Sequence, residues 1–318
     1  MAERLLGEMQ WLSSTGFAAH MRPNRTSFGS VLFDKPGIFE CDLHDEGVRS
    51  VLPCMAALFE ESKGELIEAF KLHLDPLLDK EEEDEVPGCR AERVMLCDPG
   101  DSQARTVKLQ YNTGTGGCFP CHYDNPGPTS RRALTFILYL NHAWEPGHGG
   151  ELTLFPFLAA RPVRLAPRFN RLVVFKSNCM LHRVERCLSP RGRFCLTIWL
   201  DGLDTNTPNK TQLRLDAATV DDPAALDRAV ALLRASPLQR SVSRAVYERE
   251  YEASLRECMH SDEGSCPAGL AEMLAQHRAH CEAVEKSPAL HRLVRALRER
   301  KAAVEAQARA EGRAYDDV

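Results

Sequence analysis

The sequence contains no long hydrophobic run. Its apolar residues never approach the roughly 20 in succession that a membrane helix needs, so no membrane partner is expected. The opening residues MAERLLGEMQ carry Glu3 and Glu8, and no apolar signal-peptide core follows them. Residues 10 to 33 are poor in acids, the one feature shared with a transit peptide. There is also no excess of basic charge. Lys and Arg number 40 against 45 Asp and Glu, for a net charge of -5, which removes the general electrostatic reason to expect a nucleic-acid partner. No internal repeat is visible. The glycines Gly114, Gly116 and Gly117 do not make a phosphate loop, since no Lys-Ser/Thr follows and no βαβ setting surrounds them; they read as a turn.

Cysteine, by contrast, is abundant, with 12 in 318 residues, scattered rather than set in a tight framework. Without an export signal, most of them are expected to be reduced thiols, which places the protein in the cytoplasm or nucleus. The chain is 43% hydrophobic, enough to bury a substantial core, and its length allows one large domain or two ordinary ones.

The texture changes along the chain. Residues 1–104 read as a mixed region with supporting helices; Val48 to Asp79 has helical spacing, with Leu66, Ile67, Phe70 and Leu74 on one face. Lys80 to Glu85, KEEEDE, reads as a solvated loop. Residues 105–204 break into short β-like segments at 105–111, 133–140, 151–157, 162–166, 171–177 and 193–200, with Gly, Pro and Asn between them. That pattern predicts a mainly β core, a sandwich or jelly roll, and leaves no room for the crossover helices of a parallel sheet. Residues 205–318 read as helical, beginning after the Asp221-Asp222-Pro223 helix-start signal.

The stretch CFPCHYDNPG, Cys118 to Gly127, carries two overlapping signatures. Cys118 and Cys121 have CxxC spacing. On a strand, residues three apart fall on opposite faces, no other Cys pair lies nearby to complete a zinc site, and no helix follows to acidify a thiolate, so the CxxC reads as coincidental. His122 and Asp124 are two apart, so a strand aims both at one ion. A third ligand is available in His182, just after the strand-like RLVVFKS. Two His and one carboxylate form the facial set that suits iron(II) and leaves open positions for other ligands. A second HxD, His73 and Asp75, falls in a helical stretch where side chains two apart diverge by roughly 200°, so it reads as structural. The set Cys258, His260, Cys266, His277 and Cys281 fits no standard zinc template, although His277 and Cys281 share a helix face.

In RFCLTIWLDG, alternation puts Arg193, Cys195, Thr197 and Trp199 on one face and Phe194, Leu196, Ile198 and Leu200 on the other. A cation in so apolar a strand needs a partner. A ligand carboxylate, such as the distal one of 2-oxoglutarate, would satisfy the guanidinium bidentately, and Tyr139 in FILYLN would add a hydroxyl donor.

The span from Val107 to Gly202 resembles the 2-oxoglutarate- and Fe(II)-dependent dioxygenases of the prolyl 4-hydroxylase superfamily, most nearly the hypoxia-sensing type of prolyl hydroxylase. The resemblance rests on YNTGTGGCFPCHYDNPG, LTFILYLNHAW, GHGGELTLFP, RFNRLVVFKS and RFCLTIWLDG, in that order. It implies a double-stranded β-helix, or jelly roll, with helices before and after it. It implies His122, Asp124 and His182 as iron ligands, and Arg193, Tyr139 and Thr197 on the distal carboxylate of 2-oxoglutarate. It also implies Tyr111 in the cosubstrate pocket, although the interval from Tyr111 to His122 is longer than in the hypoxia-sensing type. Arg132 and Trp199 would meet substrate, under a loop from Asn125 to Arg132 that closes over it. The implied cofactors are Fe(2+), 2-oxoglutarate and O2, with ascorbate as an accessory reductant. The implied reaction hydroxylates a protein or peptide residue, most simply proline, and releases succinate and CO2. The carboxylate of Asp124 favours hydroxylation over halogenation, because related halogenases have a small residue there. Three other readings stand beside this one: a hydroxylase of a free amino acid or other small molecule, an inactive scaffold acting through its helical tail, and a thiol oxidoreductase at Cys118 and Cys121.

Overall fold

The computed structural model describes residues 1–28, 31–61, 96–97, 104–125, 127, 129–156, 162–202, 222–234, 236, 238–259, 268–312 and 316–317. Two helices, α1 (Ala2–Leu12) and α2 (Phe17–His20), precede the strands β1 (Arg22–Phe28) and β2 (Val31–Asp42). Helices α3 (Glu46–Val51) and α4 (Pro53–Glu61) follow. The strands β3 (Arg105–Asn112), β4 (Phe119–His122), β5 (Arg132–Tyr139), β6 (Leu152–Phe155), β7 (Val163–Leu165), β8 (Arg171–Lys176), β9 (Leu181–Val184) and β10 (Arg193–Asp201) form the middle of the chain. Five helices come next: α5 (Pro223–Arg234), α6 (Gln239–Val246), α7 (Glu248–Cys258), α8 (Ala268–Glu285) and α9 (Pro288–Ala310), before the two-residue β11 (Asp316–Asp317).

The strands make two sheets, ordered β1-β2-β3-β10-β5-β8 and β11-β7-β6-β9-β4. All pairs are antiparallel except β11 with β7. The architecture is the jelly roll that the short, turn-separated strands predict. The larger sheet reaches outside residues 105–204, because β2 pairs with β3 from Ile38↔Asn112 to Asp42↔Lys108. Of the segment Val48 to Asp79, the described part is helical; Leu66, Ile67, Phe70, His73, Leu74, Asp75 and the run Lys80 to Glu85 lie outside the described residues.

The alternation in β10 organises the core. Phe194, Leu196, Ile198 and Leu200 face outward into an apolar cluster with Val107 and Leu109 of β3 and Leu5, Leu6, Met9 and Leu12 of α1. Those α1 residues recur at helical spacing, so one stripe of the helix is buried. Both Glu8 carboxylate oxygens cap α4, accepting from the amides of Cys54 (2.7 Å) and Met55 (2.8 Å). Cys195, on the inward face, packs in the barrel with Ile137, Tyr139, Leu152, Phe175 and Val184.

The helical tail folds back on the smaller sheet. Asp222 caps α5 by accepting from Ala224 N (3.1 Å) and Ala225 N (3.2 Å), as the Asp-Asp-Pro signal predicts. Helices α5, α6, α8 and α9 share a core that includes Val230, Leu233, Val242, Val246, Val284, Leu293 and Leu297. Helix α7 buries Tyr251, Ser254, Leu255 and Cys258 at i, i+3, i+4, i+7 spacing, and it lies against β4.

Candidate metal centre and cosubstrate pocket

Strands β4 and β9 run antiparallel with His122 opposite His182. Between the pairs Phe119↔Val184 and His122↔His182, β4 advances three residues and β9 two, so β4 carries a bulge. The extra residue lets Phe119 and His122 both face inward, with ring centroids 6.2 Å apart. Cys121 and Tyr123 then face outward, toward the helical tail.

The bulge corrects the reading of the CxxC. Cys118 and Cys121 lie on the same side rather than on opposite faces, because the bulge breaks the period of two between them. Both meet α7. Cys118 forms a disulfide with Cys258 across a sequence separation of 140. Cys121 N donates to Ser254 Oγ (2.9 Å), and its thiol contacts Glu250 O at 3.7 Å. The disulfide departs from the expectation of reduced thiols for this pair; eight other cysteines among the described residues are free. With Cys118 committed elsewhere, and the Cys121 thiol pushed up to about 12 by burial, Cys118 and Cys121 do not form a reactive dithiol.

His122, Asp124 and His182 converge, their ligand atoms all within 4.8 Å of one another. Asp124 Oδ1 lies 3.4 Å from His122 Nε2 and 3.6 Å from His182 Nε2. The other nitrogen of each ring is held by main chain: His122 Nδ1 donates to Pro120 O (2.7 Å) and His182 Nδ1 to Met180 O (3.0 Å). A carbonyl only accepts, so the proton sits on Nδ1 and the Nε2 lone pair faces the site. Asp124 Oδ2 accepts from Thr135 Oγ1 (2.8 Å), which is itself 2.7 Å from Ser177 Oγ. Thr135 and Ser177 are fully buried, and together they orient the carboxylate. Burial opposes ionisation of Asp124, but the facing imidazoles of His182 and His122 hold its carboxyl well below the usual range. Burial and the neighbouring His182 lower His122. Burial acts against His182 too, but the Asp124 charge raises it. Two imidazole nitrogens and one carboxylate oxygen within 4.8 Å of one another are the donor set of an iron(II) facial triad.

Arg193 and Tyr139 lie deeper in the barrel, with Arg193 3% exposed and Tyr139 fully buried. The Arg193 guanidinium carbon sits 5.0 Å from the Tyr139 ring centroid. Its Nε donates to Gly150 O (2.9 Å) and its Nη1 contacts Cys195 Sγ at 3.5 Å. Gly150 has φ +76°, and a Cβ there would stand 2.8 Å from Arg193 Cδ, so only glycine allows this approach. Among the described residues no carboxylate pairs with Arg193. The Tyr139 hydroxyl is buried without a hydrogen-bond partner, and burial pushes its pKa up to about 12, so it stays a donor. A buried cation without a carboxylate and a buried hydroxyl donor without an acceptor fit the distal carboxylate of 2-oxoglutarate.

Thr197 shares the inward face with Arg193, opposite Ile137 and Lys108. Trp199 lies two residues further, opposite Thr135, and Arg132 stacks its guanidinium 4.3 Å from the Trp199 ring. Arg132 Nη1 also donates to Asp124 O (3.2 Å), placing it at the metal set; Arg131 turns away to Cys97 Sγ (2.7 Å). Tyr111 is not brought to the site. It pairs with Phe194 in register and stacks on that ring (5.0 Å, 13°), which puts it on the outward face with Leu109, where it lines a cavity that Arg193 also reaches but that none of the metal set lines. The inward residues of β3 are Gln110 and Asn112, opposite Cys195 and Arg193. Sequence reasoning missed Thr135, although alternation back from Tyr139 through Ile137 reaches it. It also missed Ser177, for which the sequence carries no comparable signal.

Among the described residues Cys258, His277 and Cys281 do not assemble as a metal group, in keeping with the lack of a zinc template. His277 accepts from Arg244 Nε at Nδ1 (3.1 Å) and donates to Glu248 O from Nε2 (3.2 Å), so both its nitrogens are occupied. His260 and Cys266 lie outside the described residues.

The sequence profile of the 2OG-Fe(II) oxygenase superfamily matches residues 108–201, the span that carries every residue of this site. A solved structure of a prolyl 4-hydroxylase from Phytophthora capsici is 39% identical, covers 95% of this chain and 84% of its own, and superposes with a TM-score of 0.71. The chain belongs to the 2OG-Fe(II) oxygenase superfamily, whose members use iron(II), 2-oxoglutarate and oxygen, and it is similar to prolyl hydroxylases within it. Among curated relatives, the human prolyl hydroxylase EGLN3 is 30% identical over 127 residues, 39% of this chain and 46% of that protein. The hypoxia-inducible factor prolyl hydroxylase of Caenorhabditis elegans is 37% identical over 89 residues, 27% of this chain and 12% of that protein. The chain thus spans less than half the length of these curated relatives.

Proposed function

We propose that this protein hydroxylates a prolyl residue of a protein or peptide substrate, consuming 2-oxoglutarate and oxygen and releasing succinate and CO2. The observation that carries the reading is the pair at the barrel floor: a buried guanidinium, Arg193, with no carboxylate among the described residues, and a buried phenol, Tyr139, with no hydrogen-bond partner, in the same barrel as the convergent His122, Asp124 and His182. The similarity to prolyl hydroxylases supports proline as the target.

Iron(II) with 2-oxoglutarate supplies the oxidising chemistry when bound. The chain supplies the rest. His122 Nε2, His182 Nε2 and Asp124 Oδ1 hold the metal, and Thr135 keeps the carboxylate turned toward it. Arg193 and Tyr139 take the distal carboxylate of 2-oxoglutarate, with Thr197 beside them. Ile137, Leu152, Phe175 and Val184 exclude water from the floor. Arg132, flattened on Trp199 beside Asp124, presents a cation and an aromatic plane to the incoming substrate.

The test is a peptide library incubated with the purified chain, iron(II) and 2-oxoglutarate, read by mass spectrometry for one added oxygen atom on proline and by succinate release. Both are expected in the parent and absent in Asp124→Ala. Oxygen gained only on a free amino acid or other small molecule would replace the substrate assignment. Succinate release that persists in Asp124→Ala would overturn the metal assignment.

A further inference from the structure

The helical tail reaches the metal-bearing strands at a second place, through two consecutive residues at the start of α6. Gln239 is 3% exposed, and its Nε2 donates to Cys179 O at 3.0 Å. Arg240 Nη2 donates to Asn125 O at 2.6 Å, and its guanidinium stacks 4.6 Å from the Tyr123 ring. Neither side chain touches the metal set. Arg240 holds the carbonyl of the residue next to Asp124, and Gln239 holds one three residues before His182.

Asn125 directly follows Asp124 and is fully buried. Its side chain gathers the following loop, with Nδ2 donating to Ser130 O (3.1 Å) and Arg132 O (2.9 Å). Its amide donates to Ser177 O (3.1 Å), at the start of the turn from β8 to β9. Cys179 lies in that same turn, one residue before Met180, whose carbonyl orients the His182 ring. Tyr123 stands between His122 and Asp124 and points outward. The turn before His182 and the loop after Asp124 are therefore bridged twice: directly by Asn125 N to Ser177 O, and from outside by the Gln239–Arg240 pair. Helix α6 is a firm base for this bridge. Val242, Ala245 and Val246 are buried in the tail core, and Arg298 Nη2 donates to Ala245 O (2.9 Å).

We propose that Gln239 and Arg240 are positioning residues that set the spacing of Asp124 and His182 and hold the base of the 125–132 loop, making the helical tail a working part of the metal centre. The inference rests on the metal assignment above. Outer partners of metal ligands typically contribute about 10-fold or more to metal affinity. Here the action passes through backbone, so the low end applies.

The experiment is a Mn(II) titration of the metal-free protein, following the EPR signal of the free ion, in the parent, Gln239→Leu, Arg240→Met and the double variant. Mn(II) suits the same nitrogen and oxygen donors and requires no turnover. Arg249→Ala, which removes an exposed arginine of α7, is the control. The double variant is expected to lose about 10-fold in Mn(II) affinity, Arg240→Lys to recover part of the loss because it keeps a donor, and the control to match the parent. A folded double variant within about 2-fold of the parent overturns the inference, even if its melting temperature falls, since that result describes a merely structural bridge. Should the double variant not fold, the single variants decide the matter, each with roughly a 3-fold expected loss if the two effects add. A parent that binds no Mn(II) removes the metal assignment itself, and a parent that binds while the variants are unchanged removes only the role of the tail.

Discussion

The outward side chains of β10 and those of β4 meet very different neighbours. Phe194, Leu196, Ile198 and Leu200 enter an apolar cluster with the N-terminal helices. Cys121 and Tyr123 meet the C-terminal helices through named bonds: Ser254 to the Cys121 amide, the disulfide from Cys118 to Cys258, Arg240 on Tyr123, and nearby the Arg183–Glu257 ion pair. Apolar burial is strong but non-directional. Hydrogen bonds and ion pairs in a buried seam contribute less net stability, yet they penalise any shift in register, because a displaced donor is left unsatisfied. The N-terminal layer therefore supplies non-directional burial, and the C-terminal layer supplies directional contacts to the strand that carries His122.

That contrast can be broken by experiment. The largest expected effect is on the apolar side. Leu196→Ala, at a position 1% exposed, should lower unfolding free energy by roughly 2–5 kcal/mol in denaturant melts. Mn(II) affinity of the folded protein should be unchanged, and a parallel loss of affinity would show that the two layers are not separable. Next comes the disulfide. Reduction, or Cys258→Ser, should cost about 2–4 kcal/mol, because the bond constrains a long loop of the unfolded chain. A thermal melt insensitive to reductant would mean that α7 is held by its other contacts alone.

Thr135→Val keeps the shape of the side chain and removes the hydroxyl bonded to Asp124. Metal affinity should fall about 10-fold, near 1.4 kcal/mol. Isothermal titration with Mn(II) measures it, and an unchanged constant would show that Asp124 needs no such support. The smallest effect belongs to the exposed rim of the tail. The bond from Arg278 lowers the Glu252 carboxyl below its ordinary 4.5. A depressed carboxyl contributes stability that is present above its unfolded pKa and lost as pH falls through the folded one. Arg278→Ala should therefore destabilise only slightly at neutral pH, because solvent screens an exposed pair. The difference from the parent should shrink in melts as pH falls below the ordinary 4.5 of Glu252; a difference that grows there would reverse the sign of the linkage.

Much of the site was legible because it lies along strands, where a period of two needs no partner to be read. The inward set Arg193, Cys195, Thr197 and Trp199 follows from that period; His122 and Asp124 do converge as expected, but β4 ends at His122 and Asp124 lies in the bend beyond it. What escaped depends on register between strands. Val107, Leu109 and Tyr111 share a face by alternation, but only the pairing of Tyr111 with Phe194 shows that this face looks away from the pocket. Strands β1 and β2 were not anticipated in a stretch read for its helices. Thr135 lies on the same face as Tyr139, yet nothing local says that Asp124 is opposite. The bulge in β4 is invisible in sequence, since it exists only as three residues of β4 against two of β9.

The sequence alone determined the donor types, the faces of β10, the helix start at Pro223 and the family, because each rests on residues close together in the chain. Tertiary structure alone decided that Cys118 joins Cys258 rather than standing beside Cys121 as a dithiol, that Tyr111 packs outside the barrel, and that Gln239 and Arg240 reach back to the metal-bearing loops. These are contacts between segments far apart in sequence, the Arg240 to Asn125 bond spanning 115 residues. No local period encodes such a meeting; the packing of α6 and α7 against β4 brings it about.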